Sequence, residues 1–197
     1  MCRMLMMFSV LLSLTACSLG GGSLPVDHFY RLAPLQLEAV ESPVFDQIHV
    51  RPVKVSGLLH DRAMLYSESA NSLELKAYHY HYWADAPAYL LQGALYQGLS
   101  SSQLAPRVSR DTTQSTADLT INSRLLRFER YLDGSRNTVI VELEVQVDYA
   151  DSSRQPWSKV YRVQQEQQQS PLYAAVESFS LATQSIVQQL ADDLLVK

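Results

Sequence analysis

Strict alternation of apolar and polar residues marks residues 139–149. The apolar positions are Val139, Val141, Leu143, Val145, Val147 and Tyr149, and the polar positions between them include Glu142, Glu144, Gln146 and Asp148. A period of two residues places all the apolar side chains on one side of an extended chain. The pattern predicts a strand with one buried face and one solvated face.

Two further strands are predicted on either side of this one. In the preceding segment the apolar alternation slips between Leu125 and Phe128, where Leu126 is one apolar residue too many, and this indicates a β-bulge. Asp-Gly at 133–134 and Asp-Ser-Ser at 151–153 supply the turn residues between the strands. The apolar positions of these flanking strands include Leu119, Ile121, Trp157, Tyr161 and Val163.

The residue pattern in the first half of the chain predicts shorter strands. Residues 29–32 form an extended piece that Pro34 ends, and residues 48–55 alternate apolar and polar side chains, with Pro52 indicating an edge or a bulge. Residues 64–67 and 73–80 are predicted to form a hairpin with its turn at Ala70-Asn71-Ser72. A short extended piece is expected near Val108.

Two helices complete the predicted fold. Pro87 opens the first, which runs to about Leu99, and Pro171 opens the second after Ser170 as its cap. Both have an apolar stripe on one side only: Ala88, Leu91, Leu95 and Leu99 in the first, and Leu172, Val176, Phe179, Ala182, Ile186, Leu190 and Leu194 in the second. We therefore expect an α+β two-layer sandwich, with a largely antiparallel sheet and two main helices on one face.

The N-terminal segment has a different composition. Arg3 precedes a nearly all-apolar run at 4–14, too short to span a bilayer, and this combination is typical of a secretory signal. Leu14-Thr15-Ala16-Cys17 follows and resembles the bacterial lipobox, in which the cysteine receives a diacylglycerol and an N-acyl chain; an unrelated cysteine after a signal peptide or at a helix end is the alternative. The expected organisation is a signal peptide at 1–16, a lipidated Cys17 and flexible tether at 17–26, and one domain at 27–197.

Composition narrows the classes of function. Charged residues make up 18% and hydrophobic residues 47% of the chain, as in an ordinary globular protein. The formal net charge of -4 argues against nucleic-acid binding. If Cys2 is removed with the signal and Cys17 carries lipid, the mature protein has no disulfide and no free thiol.

No catalytic constellation is recognisable. His79 and His81 are two positions apart on a predicted strand, but two histidines do not complete a zinc site, and surface histidines are the simpler interpretation. The chain also has no Gly-x-Ser-x-Gly motif to present a nucleophile. We expect no enzymatic activity, no metal and no cofactor apart from the acyl chains on Cys17.

An aromatic group lies where a strand meets the first helix: Tyr80, Tyr82, Trp83 and Tyr89. These residues either cap the core or border a partner surface, since tyrosine and tryptophan favour half-wet interfaces. Trp83 is the one expected in the core. Tyr82 and Tyr89 are the candidates for a partner surface.

Four motifs occur in one order along the chain: Tyr30-Arg31-Leu32-Ala33-Pro34, the strand at 48–55, Asp61-Arg62 before a short strand, and Tyr82-Trp83-Ala84-Asp85 before a helix. Together with Cys17 this order resembles the ABC-type transport auxiliary lipoprotein family, the PqiC-like lipoproteins of MCE systems. The resemblance runs from about Tyr30 to the last helix.

The resemblance implies a Gram-negative envelope lipoprotein that serves an MCE-type intermembrane phospholipid transport system. Its expected partners are an MCE-domain protein, membrane lipid and other copies of itself. Ser18 follows Cys17, where aspartate would signal retention in the inner membrane, so the periplasmic face of the outer membrane is expected. The alternatives are an assembly lipoprotein for an outer-membrane barrel or lipopolysaccharide transporter, and an envelope hydrolase.

Overall fold

The computed structural model describes residues 25–68, 73–110, 117–134, 136–167 and 171–196. Cys17 and the lipobox, the turn predicted at Ala70-Asn71-Ser72 and the cap predicted at Ser170 lie outside the described residues.

Eight strands and two α-helices make up the described part of the chain. The strands are β1 (His28–Tyr30), β2 (Gln47–Val50), β3 (Ala63–Ser67), β4 (Lys76–Trp83), β5 (Arg107–Ser109), β6 (Leu119–Asp133), β7 (Arg136–Tyr149) and β8 (Trp157–Glu166). The helices are α1 (Pro87–Ser101) and α2 (Leu172–Val196), and a 3₁₀ turn covers Gly57–His60. All the strands belong to one sheet.

The sheet is organised around β6, which has fifteen residues. One edge of β6 pairs with β7 along its length, and β7 pairs with β8, both in antiparallel orientation. The other edge is shared by two short parallel strands: β2 pairs with residues 119–121 and β3 pairs with residues 129–131. From β2 one branch of the sheet continues to β5, and from β3 the other continues to β4 and β1.

This topology confirms the predicted α+β class, but the sheet contains more parallel pairings than expected. The long pairings β6–β7 and β7–β8 are antiparallel as expected, and so is the β3–β4 hairpin. The pairings of β1 with β4, β2 with β5, and β6 with β2 and β3 are parallel. The sheet is therefore mixed.

The long strands match their sequence pattern closely. Val139, Val141, Leu143, Val145 and Val147 are all fully buried. The β6–β7 register shifts between Leu125 and Arg127, so Leu126 is the extra residue of a bulge, as the slip in alternation predicted.

The segment predicted as a strand at 48–55 is shorter in the structure. Strand β2 ends at Val50, before Pro52, which has no backbone N–H to donate to a ladder. Beyond it only Lys54 keeps a bridge, to Arg124, in which the Lys54 N–H donates to the Ser123 carbonyl over 2.9 Å. The prediction of a continuous strand was wrong, and the proline explains why.

The two helices lie side by side on the face of the sheet that buries the valines of β7. Phe179 of α2 contacts Phe128 and Trp83, with ring centroids 4.5 Å and 5.0 Å away. Trp83 is buried, as predicted. Glycine allows α1 and α2 to approach closely, because a Cβ at Gly98 would lie 2.5 Å from Cγ1 of Val187.

A polar contact fixes the last turns of α2 on the sheet. The Asp193 carboxylate accepts hydrogen bonds of 2.6 Å from the Lys159 ammonium and from the Tyr161 hydroxyl, both on β8. Burial and the Asp193 carboxylate raise the pKa of Tyr161, so its hydroxyl stays protonated and remains a donor. Among the described residues, neither helix combines the length and apolar character needed to cross a bilayer.

Candidate functional site

A wide concavity opens where the two branches of the sheet separate. Because β2 and β3 together are much shorter than β6, they leave the middle of its edge to residues 52–56 alone. These residues, the first turn of α1 and the 3₁₀ turn enclose a cavity of about 540 Å³, which we call the gap cavity. Its volume is in the range of small-molecule sites.

The walls of the gap cavity combine apolar and basic residues. Pro52, Val53, Val55, Ala86, Ala88 and Tyr89 supply most of the apolar surface, and Lys54, His60 and Arg124 are basic. Among the described residues that line it, none is acidic. The first turn of α1 carries no acidic residue and no side-chain cap, and the positive end of the helix dipole borders the cavity. The exposed Asp85 precedes the cap residue Ala86.

The structure separates the two tyrosines that the sequence placed in one aromatic group. Tyr82 stacks on Phe29 of the neighbouring strand, with ring centroids 5.8 Å apart, and the Arg62 guanidinium lies 5.6 Å from the Phe29 ring centroid. Phe29 is 55% exposed on the outermost strand of its branch. We call Phe29, Arg62 and Tyr82 the edge cluster.

Tyr89 belongs to a different surface. It lies in the first turn of α1, is 71% exposed and lines the gap cavity. Tyr82 therefore remains a candidate contact at the edge of the sheet, whereas Tyr89 is a candidate at the mouth of the cavity.

An irregularity in β4 also separates the two candidate metal-binding histidines. Tyr80 has a positive φ of 63°, and the β3–β4 register shifts between Ala63 and Leu65. His79 is exposed, while His81 stacks on His28 at 5.0 Å and its Nδ1 lies 2.9 Å from the Tyr30 hydroxyl. Within the described residues, no group of three or more His, Cys, Asp or Glu side chains could hold a metal.

The environment of His81 favours its neutral form. Burial lowers the pKa of His81 below its ordinary value of 6.5, and the nearby charge of His28 lowers it further. The unfolded chain then binds more protons than the folded chain between the two pKa values, so the contribution of His81 to stability is lost as the pH falls through that window. The contact between β1 and β4 therefore weakens as acidification protonates His81.

We expect His28→Gln to raise the pKa of His81 towards its ordinary value, because the substitution removes the neighbouring titratable charge. NMR titration of the His81 ring protons measures this. His79→Gln is the matched control, since His79 is exposed on the same strand and should leave the pKa of His81 unchanged. An unshifted His81 pKa in His28→Gln would show that the histidine pair is not electrostatically coupled.

A second apolar groove lies on the opposite side of the helix layer. It has a volume of about 500 Å³ and runs between residues 31–35 and the outer side of α2, where Tyr173 and Leu181 are exposed. Its lining includes none of the residues singled out from the sequence as site candidates.

Comparison with models of protein families identifies the family of this chain. A model of the family described as "ABC-type transport auxiliary lipoprotein component" matches residues 30–194. The chain belongs to this family. The resemblance seen in the sequence motifs is confirmed, and the chain is a member of a transport-associated lipoprotein family.

Solved structures share this fold at low sequence identity. The crystal structure of protein XCC0632 from Xanthomonas campestris has a TM-score of 0.71 at 17% identity, over 83% of this chain and 92% of that chain. A second crystal structure, of an uncharacterized protein, has a TM-score of 0.70 at 18% identity, over 86% of this chain and 99% of that chain. The hypothetical protein CT253 from Chlamydia trachomatis has a TM-score of 0.51 at 10% identity, over 76% and 95% of the two chains. No curated protein sequence matches the chain.

For this family member, sequence reasoning missed the gap cavity. Its residues come from segments that are far apart in the chain, and each is unremarkable by itself. The one local signal was Pro52, which interrupts an alternating segment and marks where the strand leaves β6.

Proposed function

We propose that this chain is an outer-membrane lipoprotein that serves an MCE-type intermembrane phospholipid transport system as a non-enzymatic docking or conduit subunit. The observation that carries the proposal is the match of residues 30–194 to an ABC-type transport auxiliary lipoprotein component. That match covers nearly all of the folded body. The family match itself names none of three further points, which are part of the proposal: the outer membrane as the site of anchoring, phospholipid as the cargo and an MCE-domain protein as the partner.

The anchor is proposed at Cys17. The charged and apolar residues before it, the small Ala16 and the Gly- and Ser-rich residues after it fit lipidation and release as a new N-terminus. A diacylglycerol and an N-acyl chain on one cysteine hold a protein at a membrane far more firmly than a single acyl chain does. Such an anchor leaves the folded domain free to face the periplasm.

We expect Cys17→Ser to abolish lipidation and to leave an unprocessed precursor that separates from the outer-membrane fraction. Incorporation of radiolabelled palmitate and membrane fractionation measure the two effects. Cys2→Ser is the matched control, because Cys2 precedes the proposed cleavage site and its loss should change neither. Equal palmitate labelling of Cys17→Ser and the wild type would refute the anchor.

The partner surface is proposed at two tyrosines that reach the surface, the half-buried Tyr82 and the exposed Tyr89. Tyr82 in the edge cluster and Tyr89 at the gap cavity each combine an apolar ring with a hydroxyl that can remain hydrated. Residues of this kind contribute a large share of the energy of protein interfaces. The separation of the two tyrosines allows each surface to be tested independently.

We expect Tyr82→Ala or Tyr89→Ala to reduce copurification of the MCE-domain protein with the full-length lipoprotein. Tyr173→Ala is the control, since Tyr173 is exposed like Tyr89 but lies on α2, at the second groove. Thermal unfolding of each variant establishes that it is folded. Loss with Tyr173→Ala and retention with both other variants would move the interface to the second groove.

The identity of the copurifying protein distinguishes this proposal from the assembly alternative. An MCE-domain protein supports transport, whereas an outer-membrane barrel or a lipopolysaccharide transporter supports an assembly role. If the wild type captures no MCE-domain partner and its deletion leaves the envelope resistant to detergent, the transport proposal fails.

A further inference from the structure

The gap cavity has an electrostatic feature that fold stability does not require. Lys54, His60 and Arg124 are exposed basic residues at its walls. Within the described chain no carboxylate lies within ion-pair distance of Lys54. Arg124 has one partner, Glu144, whose Oε2 atom is 3.8 Å from Nε, and both side chains are well exposed. Exposed pairs of this length contribute little to stability. Glu144 offsets one of the two positive charges of Lys54 and Arg124, so the group keeps a net positive charge.

Lys54 and Arg124 lie where two concavities meet. Lys54 and Arg124 line the gap cavity, and they also line a depression of about 230 Å³ whose other lining residues are Asn122, Ser123, Glu144, Gln146 and Ser158. The parallel bridge between Lys54 and Arg124 fixes their backbones side by side. An anionic group at this junction would have an apolar wall on one side, and on the other the polar side chains of the depression, among them the Glu144 carboxylate that pairs with Arg124.

That arrangement is complementary to an amphiphile with a negatively charged head. The apolar residues Pro52, Val55 and Tyr89 offer contacts that a free phosphate ion cannot use. Lysine and arginine both bind phosphate oxygens, and arginine can do so through two parallel N–H groups. The cavity volume of about 540 Å³ accommodates part of a lipid rather than a whole one.

We propose that the gap cavity binds an anionic phospholipid, with the phosphate between Lys54 and Arg124 and the first part of one acyl chain against Pro52, Val55 and Tyr89. The proposal rests on the proposed function, because it names the class of lipid that the transport subunit would contact. It assigns to this chain a lipid contact of its own, in addition to any surface for a protein partner.

Binding of radiolabelled phosphatidylglycerol to the full-length lipoprotein, purified in a nonionic detergent, tests the site. Phosphatidylcholine and glycerol 3-phosphate are the comparison ligands. We expect the wild type to prefer phosphatidylglycerol to both. Equal binding of phosphatidylcholine would overturn the anionic head group, and equal binding of glycerol 3-phosphate would assign the site to a soluble phosphate and overturn the lipid.

Two variants test the two halves of the site. Lys54→Gln combined with Arg124→Gln should weaken phosphatidylglycerol binding about tenfold or more, the size expected for loss of charge-assisted hydrogen bonds. Ser56→Trp should weaken it similarly by filling the cavity, because Ser56 is exposed, has extended backbone and makes no side-chain cap. Both changes are at exposed positions, and a melting curve establishes that each variant is folded.

Matched controls keep the result specific. Arg107→Gln combined with Arg162→Gln removes the same charge outside the cavity, and Arg162 has a Glu142 contact of 3.8 Å like that of Arg124 with Glu144. Ser42→Trp places a tryptophan at an exposed position that does not line the cavity. Retention of binding in both cavity variants, or an equal loss in the controls, overturns the site.

Failure of this site and failure of the proposed function have different signatures. Copurification of the MCE-domain protein without phosphatidylglycerol binding leaves the transport function intact and removes the lipid site. Cavity-dependent lipid binding without that partner supports the site and removes the MCE assignment.

Discussion

Replacing Phe179 with alanine should lower the free energy of unfolding by about 3–5 kcal/mol, the usual cost of truncating a fully buried phenylalanine. Phe179 is 1% exposed. Its ring contacts both Phe128 of β6 and Trp83 of β4, so one side chain joins α2 to two strands. Truncation would remove these contacts and leave a cavity that the two remaining rigid rings, Phe128 and Trp83, cannot easily fill.

Gln184→Ala is the matched control for this substitution. Gln184 lies on the same helix, is exposed and should change stability by less than about 0.5 kcal/mol. Urea unfolding of the two variants measures the difference. Equal midpoints and equal slopes would show that α2 is rotated so that Phe179 does not face the sheet.

The second large effect is expected at the contact between the two helices. Gly98→Val should destabilise the fold by about 2–3 kcal/mol, the upper part of the range for overpacking a core. A Cβ at this position would already lie 2.5 Å from Val187 Cγ1 and 2.7 Å from Leu35 Cδ2. Val187 is β-branched and has little rotamer freedom on a helix, so α1 and α2 would have to move apart.

Gly93→Val separates this packing effect from helix propensity. Gly93 lies in the same helix, and the nearest atom to an added Cβ is Arg110 Nη1 at 4.0 Å. Valine is slightly better than glycine in a helix interior, so this variant should be neutral or slightly more stable. Thermal unfolding of both variants measures the effect, and similar losses at the two positions would exclude close helix packing as the cause.

Residue periodicity was sufficient to predict the elements that bury one face. The alternation at 139–147 placed the core side of β7, and the slip at Leu126 located the bulge in β6. The helix stripes were equally informative, since Leu91, Leu95 and Leu99 of α1 are buried as expected. In each case the relevant information is local, because the period of the side chains is a property of the element itself.

Residue periodicity could not predict which strands pair with each other. Fifteen residues extend about 50 Å at ~3.3 Å per residue, so one edge of β6 has room for two short strands with a space between them. Nothing in the sequence of β6 indicates that β2 and β3 share that edge. The gap cavity depends on this sharing, so it could not be predicted.

The positions of the two candidate partner residues, Tyr82 and Tyr89, could not be predicted from the sequence either. Tyr82 and Tyr89 are close in sequence and were therefore treated as one aromatic group. Adjacent residues of a strand point to opposite faces, and the turn into α1 changes the direction of the chain. Tyr82 consequently meets Phe29, and Tyr89 meets the gap cavity.

The parallel pairings of the first strands have a consequence for the order in which the chain can assemble. A protein is synthesised from its N-terminus, yet His28 pairs with His81, and Ile48 pairs with Leu119. Strand β1 has no strand to pair with until β4 has followed it, and β2 has none until β5 and then β6 have followed it. The β6–β7 and β7–β8 hairpins, by contrast, close between neighbours in sequence. The first strands to be synthesised therefore form their sheet contacts late. These strands are also the ones that follow Cys17 most closely in the sequence.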